Sequence, residues 1–155
     1  MDDSVSQYSF IVRLHDTDAA GRLFFGHLFR HAQDAFESFM AHLGWPIPDL
    51  IQRGEWLLPV IHAEADYQRP IHHGELIWVE VGVEEIRRRS FALAYWFRKE
   101  DGTETAQART VHILMSAVGE KDLALPEALR LALARHLKDA AVGVSCARAH
   151  PDAQS

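Results

Sequence analysis

Residues 27 to 43 constrain the fold of this chain more than any other stretch. Leu28, Ala32, Ala35, Phe36, Phe39, Met40 and Leu43 recur at three- and four-residue spacing, while Arg30, Gln33, Asp34 and Glu37 fall largely on the other side. That pattern is an amphipathic helix with a wide apolar face. Gly44 is a stop signal, and Pro46 and Pro48 oppose continuation. The flanking sequence reads as strand. Tyr8 to Leu14 is rich in β-branched and aromatic residues, and further strand-like runs lie near Leu57 to Tyr67, Glu75 to Ile86, Ser90 to Lys99 and Thr105 to Ala117. Arg69-Pro70 and His73-Gly74 separate the first two runs, Arg87 to Arg89 form a basic connection, and Asp101-Gly102 signals a hairpin. Pro126 opens a C-terminal helix expected from Glu127 to Lys138. A lone helix of this width is best covered by an antiparallel sheet curled around it. The expected class is therefore α+β, about five strands wrapped around one long central helix. Such a sheet has open edges, so pairing between copies, and hence an oligomer, is expected.

The chain has 155 residues, 48% of them apolar, which suits one domain with a substantial core. We place that domain at residues 1–140, with a mobile tail over residues 141–155, where no period is visible. The formal charge of −6 disfavours nucleic-acid and acidic-membrane partners, and no recognition helix is visible. No run approaches the roughly 18 apolar residues of a membrane span. The N-terminus lacks a secretory pattern and Cys146 stands alone, so the cytoplasm is the expected compartment.

The densest polar cluster is His15-Asp16-Thr17-Asp18-Ala19-Ala20-Gly21, between the first strand and the long helix. Aspartate and glycine before a helix are common turn and cap residues. They also suit a second use. A carboxylate beside a helix N-terminus can act as nucleophile or general base while backbone amides near Phe24, Phe25 and Gly26 polarise a carbonyl, which is an arrangement for acyl transfer. Arg87, Arg88 and Arg89 form the densest positive cluster of an acidic chain. They are either a solvated turn or a phosphate site, with Ser90 beside them. His27 and His31 stand one helical turn apart, but Leu28 follows where a metalloprotease has glutamate, and no third ligand is evident, so no metal site is expected. His62, in a strand, is expected to be a core histidine, and His72 and His73 to lie in a turn.

The run DTDAAGRLFFGHLFRH resembles the signature of the 4-hydroxybenzoyl-CoA thioesterase family of hotdog-fold enzymes, and the likeness extends through LPVIHAEADYQRPIHHGE and EEIRRRSFALAY to ARTVHILM. Within the family the 1,4-dihydroxy-2-naphthoyl-CoA thioesterases of quinone biosynthesis are most alike. The resemblance implies an acyl-CoA substrate, no cofactor (coenzyme A is part of the substrate), and a homotetramer built from hotdog dimers. It places the catalytic aspartate at Asp18, in the Asp-x-x-Gly step ending at Gly21. It implies that the Phe25 backbone amide polarises the thioester carbonyl. Arg87, Arg88 and Arg89 match the run that holds coenzyme A phosphates, with Ser90 adjacent, and His27 is expected near the acyl group. Phe24-Phe25 replace the Tyr-His of short-chain acyl-CoA thioesterases, and these aromatics suit either a slot for a planar acyl group or ordinary core. Alternatives are a 4-hydroxybenzoyl or short aliphatic substrate, a hotdog hydratase, and a non-catalytic acyl-CoA-binding domain. Hydratases place a histidine five residues after the aspartate, where this chain has Leu23.

Overall fold

The apolar stripe folds as α1 (Phe25–His42), and its Leu28, Ala32, Ala35, Phe36, Phe39 and Met40 are all buried. The computed structural model describes residues 6–118 and 123–138 of the chain. The expected tail at 141–155, with Cys146, lies outside those residues. The other elements are β1 (Ser6–Ile11), α2 (Ile47–Arg53), β2 (Trp56–Leu57), β3 (Val60–Tyr67), β4 (Leu76–Ile86), β5 (Ser90–Lys99), β6 (Glu104–Ile113), β7 (Met115–Ser116) and α3 (Glu127–Ala134). Five strands make one antiparallel sheet in the order β1-β4-β5-β6-β3, and β2 pairs with β7 apart from it.

The sheet meets α1 through alternate residues, as a pleat with a period of two requires. Ile77, Val79, Val81 and Val83 of β4 and Phe91, Leu93, Tyr95 and Phe97 of β5 are each no more than 1% exposed. Each large apolar side chain so buried contributes about 2 kcal/mol. Among the described residues no helix is long and apolar enough to cross a membrane.

Several boundaries differ from the sequence reading. The first strand stops at Ile11, and Leu14–Asp16 forms a 3-10 turn, because Asp16 folds back to accept the Arg13 N–H. Pro46 and Pro48 do not keep the following segment irregular. They open α2, where a missing N–H costs nothing, and Gly54 at φ 65 ends it. The run near 57–67 divides into β2 and β3, and that near 105–117 divides at Leu114, whose N–H bonds to Arg89. The C-terminal helix ends at Ala134. Residues 136–138 instead run beside β4, with the Val83 N–H donating to the His136 carbonyl at 2.9 Å and the Lys138 N–H to the Val83 carbonyl at 2.8 Å.

The core histidine is His112, not His62. His112 is 1% exposed and is stacked against Phe36 and Phe91. A directed chain satisfies it: the Tyr95 and Thr110 hydroxyls are 2.9 Å apart, Thr110 lies 2.9 Å from His112 Nε2, and Nδ1 faces the Leu58 carbonyl at 3.4 Å. Burial lowers its pKa to about 4, and the ring is neutral at pH 7. His62 is exposed on β3, an edge strand of the sheet that is exposed on both faces, so alternation there marks no inside among the described residues.

Candidate active site

Asp18 lies in a small hairpin that joins the 3-10 turn to α1. Thr17 and Leu23 form an antiparallel bridge, the Asp18 N–H donates to the Arg22 carbonyl at 2.8 Å, and the Gly21 N–H donates to the Asp18 carbonyl at 3.1 Å. Gly21 closes the turn at φ +72, a conformation that L side chains resist. The Asp18 carboxylate supports its own turn. Its Oδ1 accepts the N–H of Ala20 at 2.8 Å and of Arg22 at 3.2 Å. Both bonds fall on one oxygen, which leaves Oδ2 without a protein donor among the described residues.

The other half of the site is the start of α1. The N-cap is Phe24, whose side chain cannot accept a hydrogen bond. The His27 N–H donates to the Phe24 carbonyl at 3.0 Å, but no acceptor among the described residues takes the N–H of Phe25 or Gly26. A helix start with an aromatic in place of Ser, Thr, Asp or Asn forgoes about 1 kcal/mol of capping and keeps its amides available. The rings of Phe24 and Phe25 lie 4.7 Å apart, with His27 edge-on to Phe24 at 5.5 Å. Phe25 is 64% exposed, so this pair is not ordinary core.

Asp16 ties the hairpin to the helix. It is completely buried. Its Oδ2 accepts the Arg13 N–H at 2.9 Å, its Oδ1 accepts from the Arg30 guanidinium and faces His31 Nε2 at 3.1 Å, and its carbonyl accepts the Phe24 N–H at 2.9 Å. Burial works against its ionisation, but the Arg13 amide, Arg30 and His31 together outweigh that and hold the carboxyl below its ordinary range. Burial pushes the His31 pKa down. The imidazole is neutral, and the geometry suits a proton on Nε2, shared with Asp16, while Nδ1 has no partner and the ring stacks on Phe10 at 3.6 Å. His31 is 4% exposed, and among the described residues no group of three or more potential metal ligands includes it or His27.

Arg87, Arg88, Arg89 and Ser90 stand elsewhere. They form the turn between β4 and β5, closed by the Arg87 N–H on the Ser90 carbonyl at 2.8 Å. A cleft of about 270 Å³ opens there, lined by His62, Glu85, Arg87, Ser90 and Arg109 among others. The Arg87 Nε donates to Glu85 Oε1 at 2.7 Å, and Arg109 pairs with Glu84 at 3.1 Å and Glu85 at 3.7 Å. The carbonyls of Arg88 and Arg89 hold Leu125 and Leu114. Register shows how far apart the two groups are. The β4–β5 turn lies at the Val60 end of β3, whereas Tyr67, at the other end, reaches Phe25. Seven residues of strand span about 23 Å. Within one chain, then, Asp18, Gly21, Phe25 and His27 form one group, and Arg87 to Ser90 form another.

Sequence reasoning missed Asp16, Tyr67 and Arg109 as parts of these groups. His31 carried the one visible signal for Asp16, since a histidine within the apolar stripe needs a buried partner. Tyr67 and Arg109 carry no local signal, because only strand pairing brings them to Phe25 and Arg87.

Known proteins resemble this chain in sequence and in fold. A family model described as the thioesterase-like superfamily matches residues 12–133. A 1,4-dihydroxy-2-naphthoyl-CoA hydrolase of Synechococcus elongatus is 32% identical over 125 residues, which is 80% of this chain and 91% of that protein. The solved structure of a 1,4-dihydroxy-2-naphthoyl-CoA thioesterase from Synechocystis matches with a TM-score of 0.77 at 26% identity, over 84% of this chain and 96% of that one. A gentisyl-coenzyme A thioesterase matches with a TM-score of 0.74 at 25% identity, over 83% of this chain and 98% of that one.

Proposed function

Because the chain belongs to the thioesterase-like superfamily, with its hotdog fold, we propose that it is an acyl-CoA thioesterase acting on an aromatic acyl-CoA, with 1,4-dihydroxy-2-naphthoyl-CoA of quinone biosynthesis as its preferred substrate. One observation carries the chemistry: an exposed carboxylate with a free oxygen stands in a hairpin tied to a helix start whose first two N–H groups have no acceptor. The thioester carbonyl oxygen accepts from the Phe25 N–H, which stabilises the oxyanion as the carbonyl carbon becomes tetrahedral. Asp18 Oδ2 either attacks that carbon or takes a proton from the water that attacks it. The carbon–sulfur bond then breaks and the electron pair leaves with the coenzyme A sulfur. In the first route water afterwards cleaves the acyl–aspartyl anhydride, and both routes end in a free carboxylate and coenzyme A thiol. Coenzyme A arrives as part of the substrate, and no other cofactor enters these steps.

Phe24 and Phe25, exposed and in contact with their rings inclined at 49°, offer a planar acyl group an apolar wall at the helix start. Arg87 to Arg89, with Ser90, suit the phosphates of the coenzyme A tail. Those arginines belong to a second copy. The edge strand β3 is exposed along its length, with Val60, Ile61 and Tyr67 at 44%, 58% and 48%. Antiparallel pairing of two β3 edges sets the Tyr67 end of one against the Val60 end of the other, and so brings Arg87 of one copy toward Phe25 of its mate. Sedimentation at micromolar concentration is expected to read an even number of chains, a dimer or a tetramer built from dimers. A monomer that still turns over substrate rules this arrangement out. The lone cysteine fits a reducing compartment, the cytoplasm.

The reading is tested by thiol release from a panel of 1,4-dihydroxy-2-naphthoyl, 4-hydroxybenzoyl, short aliphatic and long aliphatic CoA thioesters. The naphthoyl thioester is expected to show the highest kcat/KM, by at least about tenfold, the scale of discrimination that an apolar pocket supplies. A faster aliphatic substrate refutes the aromatic preference and leaves the hydrolase standing. No cleavage of any member favours the acyl-CoA-binding alternative.

A further inference from the structure

Tyr67 is the last residue of β3, and its hydroxyl donates to the carbonyl of Phe25 at 2.5 Å. That carbonyl belongs to the first peptide inside α1, and the N–H at the other end of the same peptide is that of Gly26. A hydrogen bond received at a peptide oxygen draws electron density away from the nitrogen and strengthens its N–H as a donor. The carbonyl has two lone pairs, so it accepts the tyrosine hydroxyl without giving up its helical bond to the Phe29 N–H. The Gly26 N–H is itself unspent, and it stands one position beyond the Phe25 N–H at the uncapped helix start. Glycine suits the position: a Cβ on Gly26 would meet Phe24 Cε1 at 3.1 Å and push against the ring that leans on Phe25.

We propose that Tyr67 is a positioning residue for the reaction: by holding and polarising the Phe25–Gly26 peptide it makes the Gly26 N–H a second oxyanion donor beside that of Phe25. This rests on the hydrolase reading above. The bond links the sheet edge to the helix start, so the amides that receive the developing charge are fixed by β3 and not by α1 alone. Tyr67 touches no reacting atom. Partial burial raises the pKa of the Tyr67 phenol, so the hydroxyl is a protonated donor at neutral pH.

The test is Tyr67→Phe, which removes the hydroxyl and keeps the ring. On the best substrate of the panel, kcat is expected to fall about tenfold with KM within about twofold, because the lost interaction acts on the transition state and not on the bound thioester. In a ¹⁵N-labelled protein the Gly26 amide resonance is expected to move upfield, while amides of β5 stay in place. Gly26→Ala, which displaces the Phe24 ring, is expected to cost activity in both backgrounds, but less in Tyr67→Phe than in the parent. An active parent whose Tyr67→Phe variant keeps full kcat and an unmoved Gly26 amide overturns the proposal. So does a variant that raises KM alone, since Tyr67 is then only part of the pocket wall. A parent that cleaves no thioester overturns the hydrolase reading and the catalytic role of Tyr67 with it, whichever way the amide moves.

Discussion

Asp18→Asn is expected to lower kcat on the preferred thioester by about 10² to 10⁴, the range that loss of a nucleophile or general base produces, with little change in the melting temperature. The substitution separates the two uses of the side chain. Its amide oxygen still accepts the Ala20 and Arg22 N–H groups that now bond to Oδ1, so the hairpin closes as before. Its nitrogen takes the place of Oδ2, a neutral group that neither attacks a carbonyl nor accepts a proton from water. Thiol-release kinetics with a thermal melt on the same sample reads both. A mutant within tenfold of the parent removes Asp18 from the chemistry and revives the binding-domain reading. A mutant that melts far below the parent shows the carboxylate charge to be structural, which two neutral amide donors give no reason to expect.

The second large effect concerns stability. Asp16→Ala leaves the Arg13 N–H, the Arg30 guanidinium and the His31 ring without their common acceptor. The Arg30 side chain is 47% exposed and turns to water or Asp34, but the buried His31 ring and the Arg13 N–H lose their partner, at about 1–3 kcal/mol each. For a domain of this size that corresponds to a fall of roughly 10 °C in Tm. Urea unfolding gives the number directly, and a loss below about 1 kcal/mol would show that His31 and the Arg13 N–H find water instead. Activity should drop as well, since the 3-10 turn that Asp16 closes is the fixed end of the hairpin carrying Asp18.

The two predictions also mark what could be read from the sequence. The stripe from Leu28 to Leu43 shows α1 because each member sits on one face, and the alternation in β4 and β5 is as direct. Asp18 stands out as a candidate through its motif, and the start of α1 at Phe25 is where the end of the apolar stripe puts it. Asp16 was visible only as one more aspartate of the cluster, because its partners Arg30 and His31 lie 14 and 15 residues away and no local rule joins them. His62 was misplaced for a related reason: alternation states which residues share a face, not whether another layer covers it. Pro46 and Pro48 oppose continuation of α1, which ends at His42, yet the same prolines open α2, because a helix tolerates proline in its first turn. The arginines of 87–89 were identifiable as a cluster, yet only the strand register shows that they stand at the other end of β3 from Phe25.

The strand order β1-β4-β5-β6-β3 has a consequence for how the chain is made. Neither β1 nor β3 pairs with a strand next to it in sequence, and β3 waits for β6, the last strand of the sheet. On the ribosome, α1 is complete at His42, about seventy residues before Ile113 closes β6. At about 5–20 residues per second that interval is roughly 4–14 s. Until β4 and β5 follow, with Lys99 as their last residue, Leu28, Phe36, Phe39 and Met40 have only β1 to pack on, and the sheet is not whole before Ile113. The newborn chain carries a greasy helix in the open for longer than its strands need to pair, and a chaperone that shields such helices would meet this one before the enzyme exists.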